Sequence, residues 1–184
     1  MSLSPNVHRN PEPGAPEDVL ELTWEVFGEL CRALAVKVAH SGYQPELVVG
    51  IAKAGVIPGA VIASILGCDF SSMKISRRDG ADRIRAQPRL LSAAPREAAG
   101  RRVLIVDEIC TTGETLRLAL AAVRNVKPAD IRTATSFVKL GGYKPDFYAI
   151  ETDALVIFPW DRQIVNERGE LVVNPTYEGL ISEE

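Results

Sequence analysis

Asp107 and Glu108 stand side by side after an apolar run, Val103-Leu-Ile-Val106, and Thr111, Thr112, Gly113 and Thr115 follow at once. Two adjacent carboxylates can accept hydrogen bonds from a vicinal diol, as on ribose, or hold a divalent cation through oxygen. Threonine hydroxyls and backbone N–H groups at the start of a helix suit a phosphate, because the helix dipole favours negative charge there. The two halves together make a site for a phosphorylated sugar. A strand ending in a polar turn with a threonine cap is common. Paired acids leading straight into three threonines and a glycine are not. The chain carries no Gly-Lys-Ser/Thr P-loop, and no Gly-x-Gly-x-x-Gly follows a strand.

The elements that must position these residues can be read outward from them. Val103–Val106 lacks alternation, so it reads as a strand covered on both faces in a parallel sheet. The acids then sit at the strand's carboxyl end, where open α/β sheets bind ligands. A helix is expected from about Thr115 to Val126, stopped by Lys127-Pro128. Upstream, Thr23 can cap a helix whose apolar positions are Val26, Phe27, Leu30, Leu34 and Val38, and Ser41-Gly42 ends it. Glu46–Ala52 and Phe70–Ser76 read as strands, and Pro58–Leu66 as a helix with Gly67 past its end. Ile131–Lys139, Phe147–Ile150 and Ala154–Phe158 are further strands. Strands alternating with helices imply a parallel sheet with right-handed crossovers.

Composition narrows the class. The 184 residues fit one domain, and 46% hydrophobic residues suffice for a core. Residues 1–16 carry four prolines and read as a disordered tail, leaving 17–184 as the domain. A net charge of −3 argues against nucleic acid as the main partner. Cys31, Cys68 and Cys110 have no metal-type spacing and suit reduced thiols, with Cys110 a small packing residue. No apolar run reaches membrane-spanning length, so a cytoplasmic location is expected.

The run from Val103 to Thr115 resembles the phosphoribosyl-pyrophosphate (PRPP) motif of the type I phosphoribosyltransferases: an apolar run, two acids, three residues, then Thr-Gly-x-Thr. The resemblance extends over about Leu22–Asp161. It implies that fold: a parallel sheet of about five strands flanked by helices, with a small hood from the C-terminal part. It further implies transfer of a phosphoribosyl group from PRPP to a nucleobase, with Mg²⁺ accompanying PRPP, in a homodimer or homotetramer. Asp107 and Glu108 would hold the ribose hydroxyls, Glu108 having the metal-side role. Thr111, Thr112, Gly113, Glu114 (through its backbone) and Thr115 would grip the 5′-phosphate.

Three further regions are similar to the same family. Lys53-Ala54-Gly55 stands where its pyrophosphate loop reads basic residue-Gly-Gly, with Ala54 replacing a glycine; that suits the backbone only if Ala54 keeps a negative φ. The arginine-rich stretch 77–100 occupies the place of a mobile loop that closes over PRPP, with Arg85 or Arg89 a candidate pyrophosphate contact. Lys139 and the turn Phe158-Pro-Trp-Asp161 resemble the xanthine/hypoxanthine-guanine branch. There Lys139 would donate to the purine O6, Val156 would offer backbone to the ring edge, Leu155 would stand in for a stacking tryptophan, and Asp161 would lie close to pyrophosphate and metal. Trp160 is expected in the core or at a subunit contact. The departure is Thr111, where enzymes for 6-oxopurines carry an aspartate that serves as base or proton relay. A threonine cannot remove that proton near neutral pH without activation. Four readings stay open: slow turnover, an ionised substrate such as xanthine, a non-purine (orotate-like) base, or a sensor of PRPP or nucleotide without catalysis.

Overall fold

The computed structural model describes residues 6–9, 18–79 and 83–181. In chain order the elements are β1 (Asn6–Arg9), β2 (Asp18–Glu21), α1 (Trp24–His40), β3 (Leu47–Ala52), α2 (Val56–Leu66), β4 (Asp69–Asp79), β5 (Arg83–Leu90), β6 (Arg102–Cys110), α3 (Glu114–Arg124), β7 (Asp130–Val138), β8 (Phe147–Glu151), β9 (Leu155–Ile157), β10 (Gln163–Val165) and β11 (Leu171–Val173). They form two units, one of residues 30–152 and a smaller one joining residues 1–29 to 153–184.

The larger unit holds a six-stranded sheet in the order β5-β4-β3-β6-β7-β8. Five of these strands are parallel, and β5 pairs antiparallel with β4 at the edge. The expected count of about five is thus right for the parallel strands, and the sixth comes from the stretch 77–100. That stretch was expected as a mobile loop, with no strand in it. Its described residues instead prolong β4 and form a hairpin with β5, because the edge of β4 offers unpaired backbone groups that an arginine-rich segment can satisfy as well as an apolar one. β6 lies near the middle, with Val103, Leu104, Ile105 and Val106 fully buried, as its unbroken apolar run implies. On one face α3 presents Leu116, Ala119, Ala122 and Val123, a spacing of three and four that forms a single stripe. This stripe joins a core with Leu47, Val49, Ile51, Met73, Val103 and Ile105. Each such aliphatic side chain contributes about 1.5–3 kcal/mol by leaving water.

The helix ends follow the expected chemistry. Val26 N–H donates to Thr23 Oγ1 at 3.3 Å, capping α1. Gly67 takes a left-handed conformation, φ 66°, and closes α2. Among the described residues no helix is long and apolar enough to cross a membrane.

The smaller unit departs from the expectation of a purely C-terminal part. Its three-stranded sheet runs β1-β2-β9, so the N-terminal chain supplies two of the strands. The strand expected at Ala154–Phe158 therefore belongs here, parallel to β2, and not to the central sheet. Residues 6–9 of the expected disordered tail form β1; residues 1–5 and 10–16 lie outside the described residues. Phe27, Phe158 and Trp160 form an aromatic cluster, with Phe158 and Trp160 stacked at 4.7 Å and Phe27 edge-on to both. Trp24 leans on the same group, 6.0 Å from Trp160. Glu21, 3% exposed, is paired with Arg162 at 2.7 Å, so a buried charge in β2 is neutralised from after β9.

Candidate functional site

β6 outlasts one of its neighbours. Its pairing with β3 stops at Gly50↔Val106, whereas its pairing with β7 continues through Asp107↔Thr135 to Cys110↔Val138. The two acids therefore lie inside the strand, later than its expected end, at the point where one side of it opens. Asp107 is 7% exposed, and its Oδ1 accepts the Glu108 N–H at 3.0 Å. Burial, and then the charge of Glu108, push its carboxyl well above the usual range. Among the described residues no Lys, Arg or His pairs with either acid. Beside Asp107 in the ladder, the fully buried Thr135 has an Oγ1 with no hydrogen-bond partner among the described residues. The buried acid and the neighbouring hydroxyl thus have hydrogen-bonding capacity that the described residues do not use.

The second loop is held against these acids by a glycine. A Cβ on Gly55 would lie 2.7 Å from Val106 O and 2.8 Å from Asp107 Cα, so no other residue fits. Lys53 is exposed two residues earlier, and the Ala52–Lys53 peptide is cis. Ala54 is not among the residues with positive φ, so its backbone does not require the glycine it replaces. Val56 and Ile57 N–H groups donate to Lys53 and Ala54 carbonyls at 3.1 and 3.2 Å, turning the chain directly into α2.

The phosphate-type turn comes next. Thr111 and Thr112 are exposed, and Gly113 adopts φ 78° immediately before α3. Helix α3 thus begins at Glu114, one residue earlier than expected, and its first N–H groups have no acceptors within the helix. The return from β7 to β8, residues 139–146, braces this turn. Lys139 N–H donates to Cys110 O at 2.9 Å, and Tyr143 N–H donates to Thr111 O at 3.0 Å. The Tyr143 ring lies against Gly113, the Arg117 guanidinium sits over that ring at 4.6 Å, and Arg117 Nη1 donates to Thr112 O at 3.0 Å. Cys110 packs here as expected, its Sγ 3.4 Å from Tyr143 O and its thiol pushed up to about 11 mainly by burial.

The larger unit therefore brings together Lys53, Ala54, Gly55, Asp107, Glu108, Thr111, Thr112, Gly113, Glu114, Thr115 and Lys139. Arg89 is exposed on β5 opposite Ser76, and Arg85 is engaged within the hairpin by Asp79 at 2.6 Å. Leu155, Val156 and Asp161 belong to the smaller unit. Ile157 O accepts from Leu22 N–H, so by alternation the Val156 N–H and C=O face the open edge of β9. Asp161 N–H donates to Phe158 O at 3.0 Å, and its carbonyl accepts from Asn174 Nδ2. Sequence reasoning missed Tyr143, Arg117 and the pairing of Arg77 with Glu114. Nothing in their spacing marks them, because Tyr143 meets Gly113, Arg117 meets Tyr143 and Arg77 meets Glu114 only through the fold.

The model of the phosphoribosyl transferase domain matches residues 22–168, most of the chain and all of this site. The chain belongs to that family. This phosphoribosyl transferase domain is 28% identical over 145 residues to the xanthine-guanine phosphoribosyltransferase of Gluconobacter oxydans, covering 76% of this chain and 83% of that one. It is also 28% identical over 123 residues to the transcriptional regulator GfcR 2 of Methanosarcina barkeri, covering 61% and 59%. Among solved structures, the purine phosphoribosyltransferase of Pyrococcus horikoshii superposes with a TM-score of 0.67 at 26% identity, covering 80% of this chain and 97% of that one. The type I fold expected from the sequence is thus the fold of the domain.

Proposed function

We propose that this protein transfers the 5-phosphoribosyl group of PRPP to a 6-oxopurine base and releases pyrophosphate. The observation that carries the reading is Asp107: a buried acid with no paired cation among the described residues, set between a glycine-packed lysine loop and a threonine–glycine turn that leads into α3. Similarity to a xanthine-guanine enzyme over most of the chain supports the choice of base.

Asp107 and Glu108 would receive the two ribose hydroxyls, with Glu108, half-buried, facing the leaving group. The α3 N-terminus and Thr111, Thr112 and Thr115 would seat the 5′-phosphate. Lys53 and the 53–55 backbone would face pyrophosphate with one cation and N–H donors. Lys139 would donate to the exocyclic oxygen of the base, a bond adenine cannot return. Holding the parts in line and compensating charge as the ribose ring becomes cationic would supply most of the catalysis.

Mg²⁺ fits this donor set. Asp107 and Glu108 offer hard oxygen ligands, and the described residues contain no group of three or more His, Cys, Asp or Glu that would cage a metal alone. That suits an ion held by one carboxylate and substrate oxygens, with Glu108 the candidate ligand in the larger unit. When bound, it would neutralise charge on the departing pyrophosphate.

A second reading is a PRPP or nucleotide sensor, favoured by Thr111, whose hydroxyl cannot serve as a base, and by the regulator relative. The test is a panel of guanine, hypoxanthine, xanthine, adenine and orotate with PRPP and Mg²⁺, read by nucleotide formation. Turnover of the 6-oxopurines is expected. Tight PRPP binding by calorimetry with no turnover of any base would give the sensor reading instead.

A further inference from the structure

β4 runs on to Asp79, past Lys74, the last of its residues paired with β3. The overhang carries Arg77 beyond the carboxyl end of the neighbouring strand, toward the side on which the acids and the threonine turn lie. There the Arg77 guanidinium meets the carboxylate of Glu114, the first residue of α3. Its Nη1 also donates to Ala86 O at 3.3 Å, so the same side chain ties the β4–β5 hairpin to the mouth of the helix. Both side chains stay within reach of solvent, at 38% and 39% exposure, so a ligand can approach them.

Glu114 poses an electrostatic problem. A carboxylate in the first turn suits the helix dipole when nothing is bound. A phosphate docking on the same N–H groups adds up to two more negative charges beside it. Like charges that close repel unless a cation stands between them. Arg77 is that cation. Its guanidinium carries five donors in a planar fork, enough to keep Glu114 and still reach phosphate oxygens.

We propose that Arg77 is a phosphate-positioning residue of this turn, held in place by Glu114 while the site is empty and shared between Glu114 and the phosphate when it fills. The proposal rests on the phosphoribosyl reading above and adds to it the residue that makes the turn accept a dianion. Glu114 then acts as a built-in competitor: it stores Arg77 at the helix mouth and moderates affinity for the phosphate.

The test is calorimetric binding of ribose 5-phosphate, and of PRPP with Mg²⁺, to wild type, Arg77→Ala, Glu114→Gln and the double variant, with circular dichroism confirming the fold of each. Arg77→Ala is expected to weaken ribose 5-phosphate binding at least tenfold, because a bare Glu114 then faces the phosphate. Glu114→Gln is expected to bind as tightly as wild type or severalfold tighter. The double variant should recover much of the loss, a coupling that simple damage to the turn would not produce. Arg77→Lys, which keeps the charge and loses the fork, should fall between wild type and Arg77→Ala, and it serves as the test if the alanine variant does not fold. Binding by Arg77→Ala, or by Arg77→Lys in its stead, within twofold of wild type would overturn the proposal alone. So would a double variant no better than Arg77→Ala. Wild-type protein that binds neither ligand would overturn the phosphoribosyl reading and this inference together.

Discussion

The aromatic ring of Tyr143 lies directly against Gly113, at the one position where the phosphate-type turn takes a φ of 78°. Glycine is required there twice over: by a backbone conformation that L side chains rarely adopt, and by a neighbour that fills the place of a Cβ. Gly113→Ala should cost about 1–3 kcal/mol. For a chain of this length that is roughly 2–4 °C of melting temperature per kcal/mol. Adding Tyr143→Ala should recover part of the loss in the same thermal denaturation measurement, since the second change removes the obstacle. Strict additivity of the two changes would contradict the packing described.

Asp107 makes stability depend on pH in an uncommon direction. Its carboxyl is raised by burial and by Glu108, so the folded state keeps a proton that the unfolded chain has already released. In that window the folded state binds more protons. Its contribution is therefore full below the unfolded value of about 3.9 and is lost as pH rises through the folded value. Asp107→Asn should accordingly raise the melting temperature at pH 7–8, show little gain at pH 4, and abolish binding of PRPP. A variant less stable than wild type at pH 8 would show that the carboxylate is supported by contacts that its burial does not suggest.

Lys139 emerges from β7 with its N–H committed to Cys110 O, so its position is set by backbone and, on the proposed function, its ammonium would meet the base. Lys139→Ala should raise KM for guanine, hypoxanthine and xanthine by at least tenfold while PRPP binding by calorimetry stays within about twofold. The size follows from losing one hydrogen bond to a charged donor, about 1.5–3 kcal/mol. Unchanged kinetics on all three bases would remove the lysine from base recognition.

Thr111 is exposed at the start of the turn and offers only a hydroxyl. Thr111→Asp should supply the missing base and raise kcat for hypoxanthine and guanine, by up to about 10²–10⁴-fold if proton removal limits the rate. For xanthine, which is partly ionised already, the gain should be smaller. Equal gains on all bases, measured as initial rates at saturating PRPP, would point to a general effect on the turn.

The parts of the fold that were legible in the sequence are those whose cause is local. Val103–Val106 announces a strand buried on both faces, Thr23 a helix start, and Gly67 a helix stop, and each stands where expected. The acids and the turn of the candidate site could be picked out for the same reason, since they are neighbours in the chain. What escaped depends on distant partners. β2 is four residues whose ladder is completed by β9, and the buried Glu21 makes sense only beside Arg162. β5 contains Pro88 and three arginines and has no apolar rhythm; it is a strand because β4 has a free edge. β10 and β11 are three residues each and pair only with one another. Ala54 shows the opposite case: a substitution that looked awkward in the sequence is harmless because its φ stays in the ordinary range.

The short return between β7 and β8 has a mechanical meaning. Residues 139–146 carry the chain back to the start of the parallel strand β8 without a helix, and main-chain hydrogen bonds from Lys139 and Tyr143 stitch them to Cys110 and Thr111. The backbone of the lysine that would select the base and the bend that would seat the sugar phosphate are thus two separate stretches of chain joined by main-chain bonds. A shift of either stretch would break one of those bonds or carry the other stretch with it.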